Sequence, residues 1–167
     1  MAENPSRDSA FWRFSLRFYA LPDVAPACLA LQDEAGVDVN LLLFLLFLAE
    51  QGRAVTRDDV ARLDASIAPW RTDVVEPLRA VRRRLKTGVG DVPTATSEGL
   101  RTMVKKIELE AERLEQGRLE NEAPTLGKPA PRDGAARANL AAYEAHLGGL
   151  PAGPRDLILK AFSASQS

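Results

Sequence analysis

The chain is 167 residues long, 46% hydrophobic and 27% charged, with 22 Lys and Arg against 23 Asp and Glu for a net charge of −1. That length suits one domain, with enough core to need no disulfide or metal staple. The near-neutral balance argues against a protein built to coat nucleic acid or an anionic membrane, and offers little electrostatic protection against pairing with a second copy.

In chain order, Met1 to Ala10 is polar and holds no apolar signal-peptide core. Phe11, Phe14, Leu16, Phe18 and Tyr19 then recur at helical spacing, with Asp8 or Ser9 as the cap and Pro22 as the stop. Asp23 is placed to cap a second helix with Pro26 in its first turn, ending at Gly36 in the left-handed conformation. Cys28, the only cysteine, lies there among Ala25, Ala27, Leu29 and Leu31, so it reads as a small core residue in a reducing, cytoplasmic compartment.

Asp38 or Asn40 caps a third helix, Leu41 to Gln51. Its nine-residue apolar run, Leu41 to Ala49, falls well short of the roughly 20 residues that span a bilayer, so it reads as a central strut. Thr56 opens a fourth helix with Asp58 and Asp59 in its first turn, and the chain is expected to turn at Pro69 and Trp70. Val74, Leu78, Val81 and Leu85 mark the next helix, with a kink at Pro77 or a start near Glu76.

After the loop Gly88 to Ser97, a long helix puts Leu100, Met103, Val104, Ile107, Ala111 and Leu114 on one core-facing stripe. Residues 123–134, with three prolines and two glycines, read as a flexible linker. Weaker helical patterns follow at 135–147 and 156–162. The expectation is an all-α bundle of about six or seven helices around residues 41–51. Its helical core is 1–122, its linker 123–134, and residues 135–167 form a loosely attached helical extension.

The stretch FWRFSL, with Tyr19, then CLALQDEAGVDVNLLL resembles a proteobacterial family of proteins of roughly this length, known as a domain of unknown function. Trp70, Leu78, Arg79, Arg83 and Leu85, followed by Lys105, Glu108, Leu109 and Glu112, also look like that family. The likeness covers about residues 10–120. It implies a helical fold and carries over no activity, cofactor or catalytic residue.

Four constellations bear on function. Asp58, Asp59 and Asp64 match the DDxxxxD spacing of magnesium–diphosphate sites. The chain is too short for such a synthase, and Asp58 and Asp59 already suit a helix N-terminus. Gln32, Asp33, Asp38 and Asn40 sit between two apolar segments, where an unpaired buried polar atom costs about 1–3 kcal/mol. They therefore cap helices, pair with Arg79, Arg83, Lys105 or Glu108, or line a polar pocket. The run Arg79, Arg82, Arg83, Arg84 and Lys86 suits phosphates. It also suits the glutamates of the helix at 98–122, and it lacks interleaved aromatics for base stacking. Finally, Phe11, Trp12, Phe14, Phe18 and Tyr19 offer more apolar surface than one core face needs, which puts Trp12 and Phe18 on a candidate interaction surface.

His146 is the only histidine, which excludes a His–His metal site within one chain. The GxxxxGK[ST], GxGxxG and CxxC patterns are missing, so no cofactor or metal is expected. By elimination the chain reads as an interaction or adaptor module, with another protein or a second copy of itself as partner. The alternative is a small-ligand binder or enzyme using Asp33, Asp38, Arg79 and Arg83, and nucleic-acid binding through 79–86 comes third.

Overall fold

A computed structural model describes residues 9–165. The alternative cap Asp8 lies outside the described residues. Among these residues the chain forms eight α-helical segments: α1 (Ala10–Tyr19), α2 (Val24–Ala35), α3 (Val39–Glu50), α4 (Arg57–Trp70), α5 (Glu76–Thr87), α6 (Thr94–Glu120), α7 (Arg132–Leu147) and α8 (Ala152–Ala164). A π turn, Arg71–Val75, joins α4 and α5. Seven continuous helical rods result, in keeping with the all-α expectation.

Helix ends follow local chemistry. The Ser9 side chain accepts from the Trp12 amide, and Asp38 accepts from that of Leu41. Thr56 and Asp59 form a reciprocal capping box. Gly36 closes α2 at φ +67°, a conformation that glycine adopts without a Cβ penalty. Asp23 precedes α2 but is itself left-handed and makes no side-chain cap.

The core is organised around α3, whose residues Leu41 to Ala49 are all buried. From α1, the Phe11 ring lies 5.2 Å from Phe44 and 5.3 Å from Phe47, and Phe18 meets Phe162 of α8 at 6.1 Å. Each buried phenylalanine contributes roughly 1.5–3 kcal/mol through removal of apolar surface from water. On the opposite side, α7 packs along α3. Fully buried Asn139 accepts from the Val55 amide at 2.7 Å and donates to the carbonyls of Leu45 (2.9 Å) and Arg53 (3.1 Å).

Three expectations are corrected. The chain does not turn at Pro69 but stays helical through it. Proline supplies no N–H to the carbonyl four residues back, and the helix widens into the π turn just beyond. Residues 123–134 are not a flexible linker. Ala123 and Leu126 are buried, and the Arg53 guanidinium donates to both of their carbonyls. Lys128–Pro129 pairs antiparallel with Arg53–Ala54 as strands β2 and β1, and the Ala130 amide donates to the Gly52 carbonyl at 2.8 Å. Nor are α7 and α8 a loose extension, because Ala135, Ala136, Leu140, Tyr143, Ile158 and Phe162 belong to the same core. Two of these are alanines, which weaken the amphipathic signal while letting the α7 backbone sit close to α3.

A fourth correction concerns α6. Val104 and Ala111 are buried, but Leu100, Met103 and Ile107 are each at least half exposed. α5 has no buried residue and packs mainly on α6 and the π turn. Among the described residues nothing buries this face of α6, and the α5–α6 hairpin stands off the body as an arm.

Candidate functional site

Where the arm leaves the body, a cleft of about 1110 Å³ opens between α1 and α2 on one side and α5 and α6 on the other. The α1–α2 wall presents Trp12, Leu16, Tyr19 and Leu29. The arm presents Arg79, Arg82, Arg83, Lys105, Lys106 and Leu109. The floor is polar and is built from the start of α3, the middle of α4, the π turn and the middle of α6, with Ser15 of α1 and Tyr143 and His146 of α7 bonded to it.

Two hydrogen-bonded chains run along the floor and meet where Glu115 lies against Asp38. Ser15 Oγ donates to Gln116 Oε1 at 3.1 Å, Gln116 Nε2 donates to Asn40 Oδ1 at 2.9 Å, and Asn40 Nδ2 donates to Glu115 Oε1 at 3.3 Å. Asp38 accepts from the Leu41 amide at 3.0 Å, and its Oδ2 accepts from Arg71 Nη1 at 3.1 Å. Arg71, the first residue of the π turn, also donates to Asp64 at 2.8 Å, and His146 Nε2 lies 2.9 Å from the other Asp64 oxygen. Tyr143 Oη accepts from the Asp38 amide at 2.9 Å. Widened turns of this kind are frequent at functional sites because they offset one side chain from the regular helical rows.

Electrostatics single out Glu115. It is 2% exposed, and its carboxyl is hydrogen-bonded to that of Asp38, a pairing that needs one of the two to carry a proton. Burial first, and then the neighbouring Asp38 carboxylate, push its pKa up to about 9, so it is a neutral acid at pH 7. Burial also raises Glu112, which accepts from Arg79 at 3.1 Å. Asp64 behaves oppositely. Burial works against its ionisation, but the hydrogen bonds from His146 and Arg71 outweigh that and hold it below the usual carboxylate range.

Residues 10–119 match the family described as "Protein of unknown function (DUF2390)". The chain belongs to that family. Apart from Leu147, every side chain lining the cleft falls within the span that matches DUF2390. No curated protein and no solved structure matches the chain.

The DUF2390 cleft gathers most of the residues that the sequence singled out. Gln32, Asp38, Asn40, Arg79, Arg83 and Glu108 all line it, as does Trp12. Asp33 does not; it is exposed and faces Arg83 at 3.6 Å, and exposed pairs of this kind contribute little. Phe18 is buried in the core at 2% exposure, away from any partner-facing surface. The basic run is partly spent on α6: Arg79 meets Glu108 at 3.4 Å, and Arg82 donates to both oxygens of the same carboxylate. Asp58 is exposed, Asp59 belongs to the capping box and Asp64 to the Arg71 pair. No three His, Cys, Asp or Glu among the described residues could hold a metal ion.

Sequence reasoning missed Ser15, Arg71, Glu115, Gln116 and Tyr143, and it read Asp64 as part of a metal–diphosphate spacing rather than as the partner of Arg71 and His146. One signal was available. Glu108, Glu115 and Gln116 alternate with Val104, Ala111 and Leu119 at spacings of three and four. That places them on the inward stripe of α6, which a search for apolar residues alone passes over.

Proposed function

We propose that this DUF2390 protein binds a small organic ligand in the cleft between the α1–α2 wall and the α5–α6 arm. One observation carries the reading: a large concavity whose wall holds apolar and aromatic side chains and whose floor brings together polar groups, one of them a carboxyl kept neutral by burial. Ligand sites combine an apolar lining with a few placed polar groups, and strongly perturbed titratable groups cluster in them. A structural network alone would need no opening above it.

The test is a thermal-shift and ligand-observed NMR screen of small metabolites against the wild type and a Leu16→Trp variant. Leu16 is 54% exposed and lines the cleft, so the indole fills space there without touching the core. The expected result is at least one hit that the variant loses. Hits that bind both proteins equally, or no hit at all, would overturn the reading.

A second reading has its own support. Leu100, Met103 and Ile107 form an exposed apolar stripe on α6, with exposed Val81 on α5, a surface suited to an adaptor that meets another protein or a second copy of this chain. It shifts the interaction surface from Trp12 and Phe18 to the arm. A reducing, cytoplasmic setting accords with both readings, since the lone Cys28 is buried and needs no oxidising compartment.

A further inference from the structure

Carboxyls and cations line the cleft in equal number, so the charge it offers a ligand is decided by which of them are already engaged. On the floor all are. Asp38 and Asp64 share Arg71, Glu108 meets Arg79 and Arg82, and Glu112 accepts from Arg79. Glu115 lies against Asp38 and takes the Asn40 amide. On the arm three cations are not. Lys105 and Lys106 line the cleft and enter no ion pair or hydrogen bond among the described residues, and Arg83 reaches only exposed Asp33, at 3.6 Å. Exposed Glu76 is the one lining carboxylate in the same position, and it precedes Arg83 by seven residues, about 10 Å along α5.

The antiparallel register of the arm brings the three cations to one level. Arg79 pairs with Glu108 and Glu112, and Arg82 with Glu108. Arg83, the next residue, therefore comes level with the turn of α6 that carries Lys105 and Lys106. Its contact with Asp33 brings the end of α2 to the same level, where Gln32 lines the cleft with its side-chain amide unbonded among the described residues. Glu108, the nearest carboxylate along α6, is covered by two guanidiniums, and Glu112 lies about 10 Å farther in. Inward from the cations the lining turns apolar, with Leu109 on the arm facing Leu16 and Leu29 across the cleft. These leucines are 50%, 54% and 44% exposed, and the space that exposes them is the cleft itself.

We propose that the cleft takes an amphipathic organic anion, its acid group held by Lys105, Lys106 and Arg83 and its hydrocarbon laid along Leu16, Leu29 and Leu109. The proposal rests on the cleft being a ligand site. A cationic head group would meet three unengaged positive charges at that level, and a neutral one would leave them unanswered. A bare inorganic anion would leave the leucines wet, whereas a hydrocarbon removes their surface from water. The acid group sits at the mouth, where it stays partly hydrated, so the cations add attraction without a full desolvation cost. Carboxylates and phosphate monoesters share this chemistry.

The experiment is isothermal titration calorimetry on the full chain at pH 7, with octanoate, octyl phosphate, octanol and octylamine as probes. The proteins are the wild type, a Lys105→Gln, Lys106→Gln double variant and an Arg84→Gln, Lys86→Gln double variant, which removes the same charge from positions outside the lining. Circular dichroism confirms the fold of each, and Arg83→Gln serves as a further variant. The expected result is at least one of the two anions binding about tenfold tighter than octanol, with octylamine weakest. The stronger anion then tells a carboxylate site from a phosphate site. The Lys105, Lys106 variant should bring that anion down to the affinity of octanol and leave octanol unchanged, while the Arg84, Lys86 variant keeps the preference. Octanol or octylamine binding as tightly as both anions would overturn the proposal while leaving the cleft a ligand site. Equal losses in the two double variants would overturn it too, since they would trace the attraction to overall charge. Binding of none of the four would remove the anion, and the metabolite screen with Leu16→Trp then decides separately whether the cleft binds anything.

Discussion

Replacing Glu115 by glutamine keeps the shape of the side chain and removes its charge, so its effect on stability isolates the cost of burying an acid there. In the unfolded chain this carboxyl ionises near 4.5, whereas burial and Asp38 hold it protonated in the folded protein to about 9. Between those values the unfolded state gives up a proton that the folded state keeps, so folding stability falls as pH rises. The slope for one such proton is about 1.4 kcal/mol per pH unit, and over the 2.5 units up to pH 7 the loss reaches about 3 kcal/mol. Glutamine carries no such penalty. Glu115→Gln is therefore expected to match the wild type near pH 4.5 and to exceed it by about 3 kcal/mol at pH 7. Urea unfolding of both proteins at pH 5, 6, 7 and 8, followed by far-ultraviolet circular dichroism, reads the difference directly. Groups common to both chains cancel, and the lowered Asp59 and Asp64 titrate below this window. A wild-type-minus-variant difference that stays constant from pH 5 to pH 8 would refute the reasoning.

Asn139→Ala removes an amide that satisfies the Val55 N–H and two carbonyls between α3, β1 and α7. A loss of about 3 kcal/mol in urea unfolding is expected, and less than about 1 would mean that water takes over those bonds. Gly127→Ala places a Cβ 3.1 Å from the Ala54 carbonyl oxygen at φ +81°. It should cost about 1–2 kcal/mol and speed hydrogen exchange at the Ala130 amide, which closes the clip beside it; unchanged exchange would show the clip to be independent of that turn. Cys28 is buried, and burial pushes its thiol up to about 12. A thiol-reactive disulfide reagent should therefore modify it only as fast as the protein unfolds, and rapid modification of the native protein would contradict the packing around α2.

The parts of the fold that were legible in the sequence are those in which one residue type does one job. The unbroken run Leu41 to Ala49 can only be central, and Ser9, Asp38, Thr56 and Gly36 mark helix ends because each satisfies or frees specific backbone groups. The arm was not legible, since Leu100, Met103 and Ile107 share the spacing of a core stripe while no layer covers them. Residues 123–134 misled for a related reason: their prolines and glycines shape a tight return that Arg53, seventy residues away in sequence, fastens from across the fold. Half of the cleft was visible as polar residues flanking apolar helices. Arg71 and Glu115 were hidden, the first because the π turn has no sequence signature of its own, the second because seven glutamates within residues 98–122 look like a solvated face.

The widened turn between α4 and α5 gives the rod a place to absorb a change in residue count. A π turn holds one residue more than an α turn, so deleting a single residue between 71 and 75 would let the rod relax to regular pitch while the residues beyond it keep their faces. A deletion in the first regular turn of α5 has no such slack, and would rotate everything beyond it by about 100° about the rod axis and swing Arg82 off Glu108. A shortening at this one joint thus leaves the arm-side wall presenting the same side chains over the same floor.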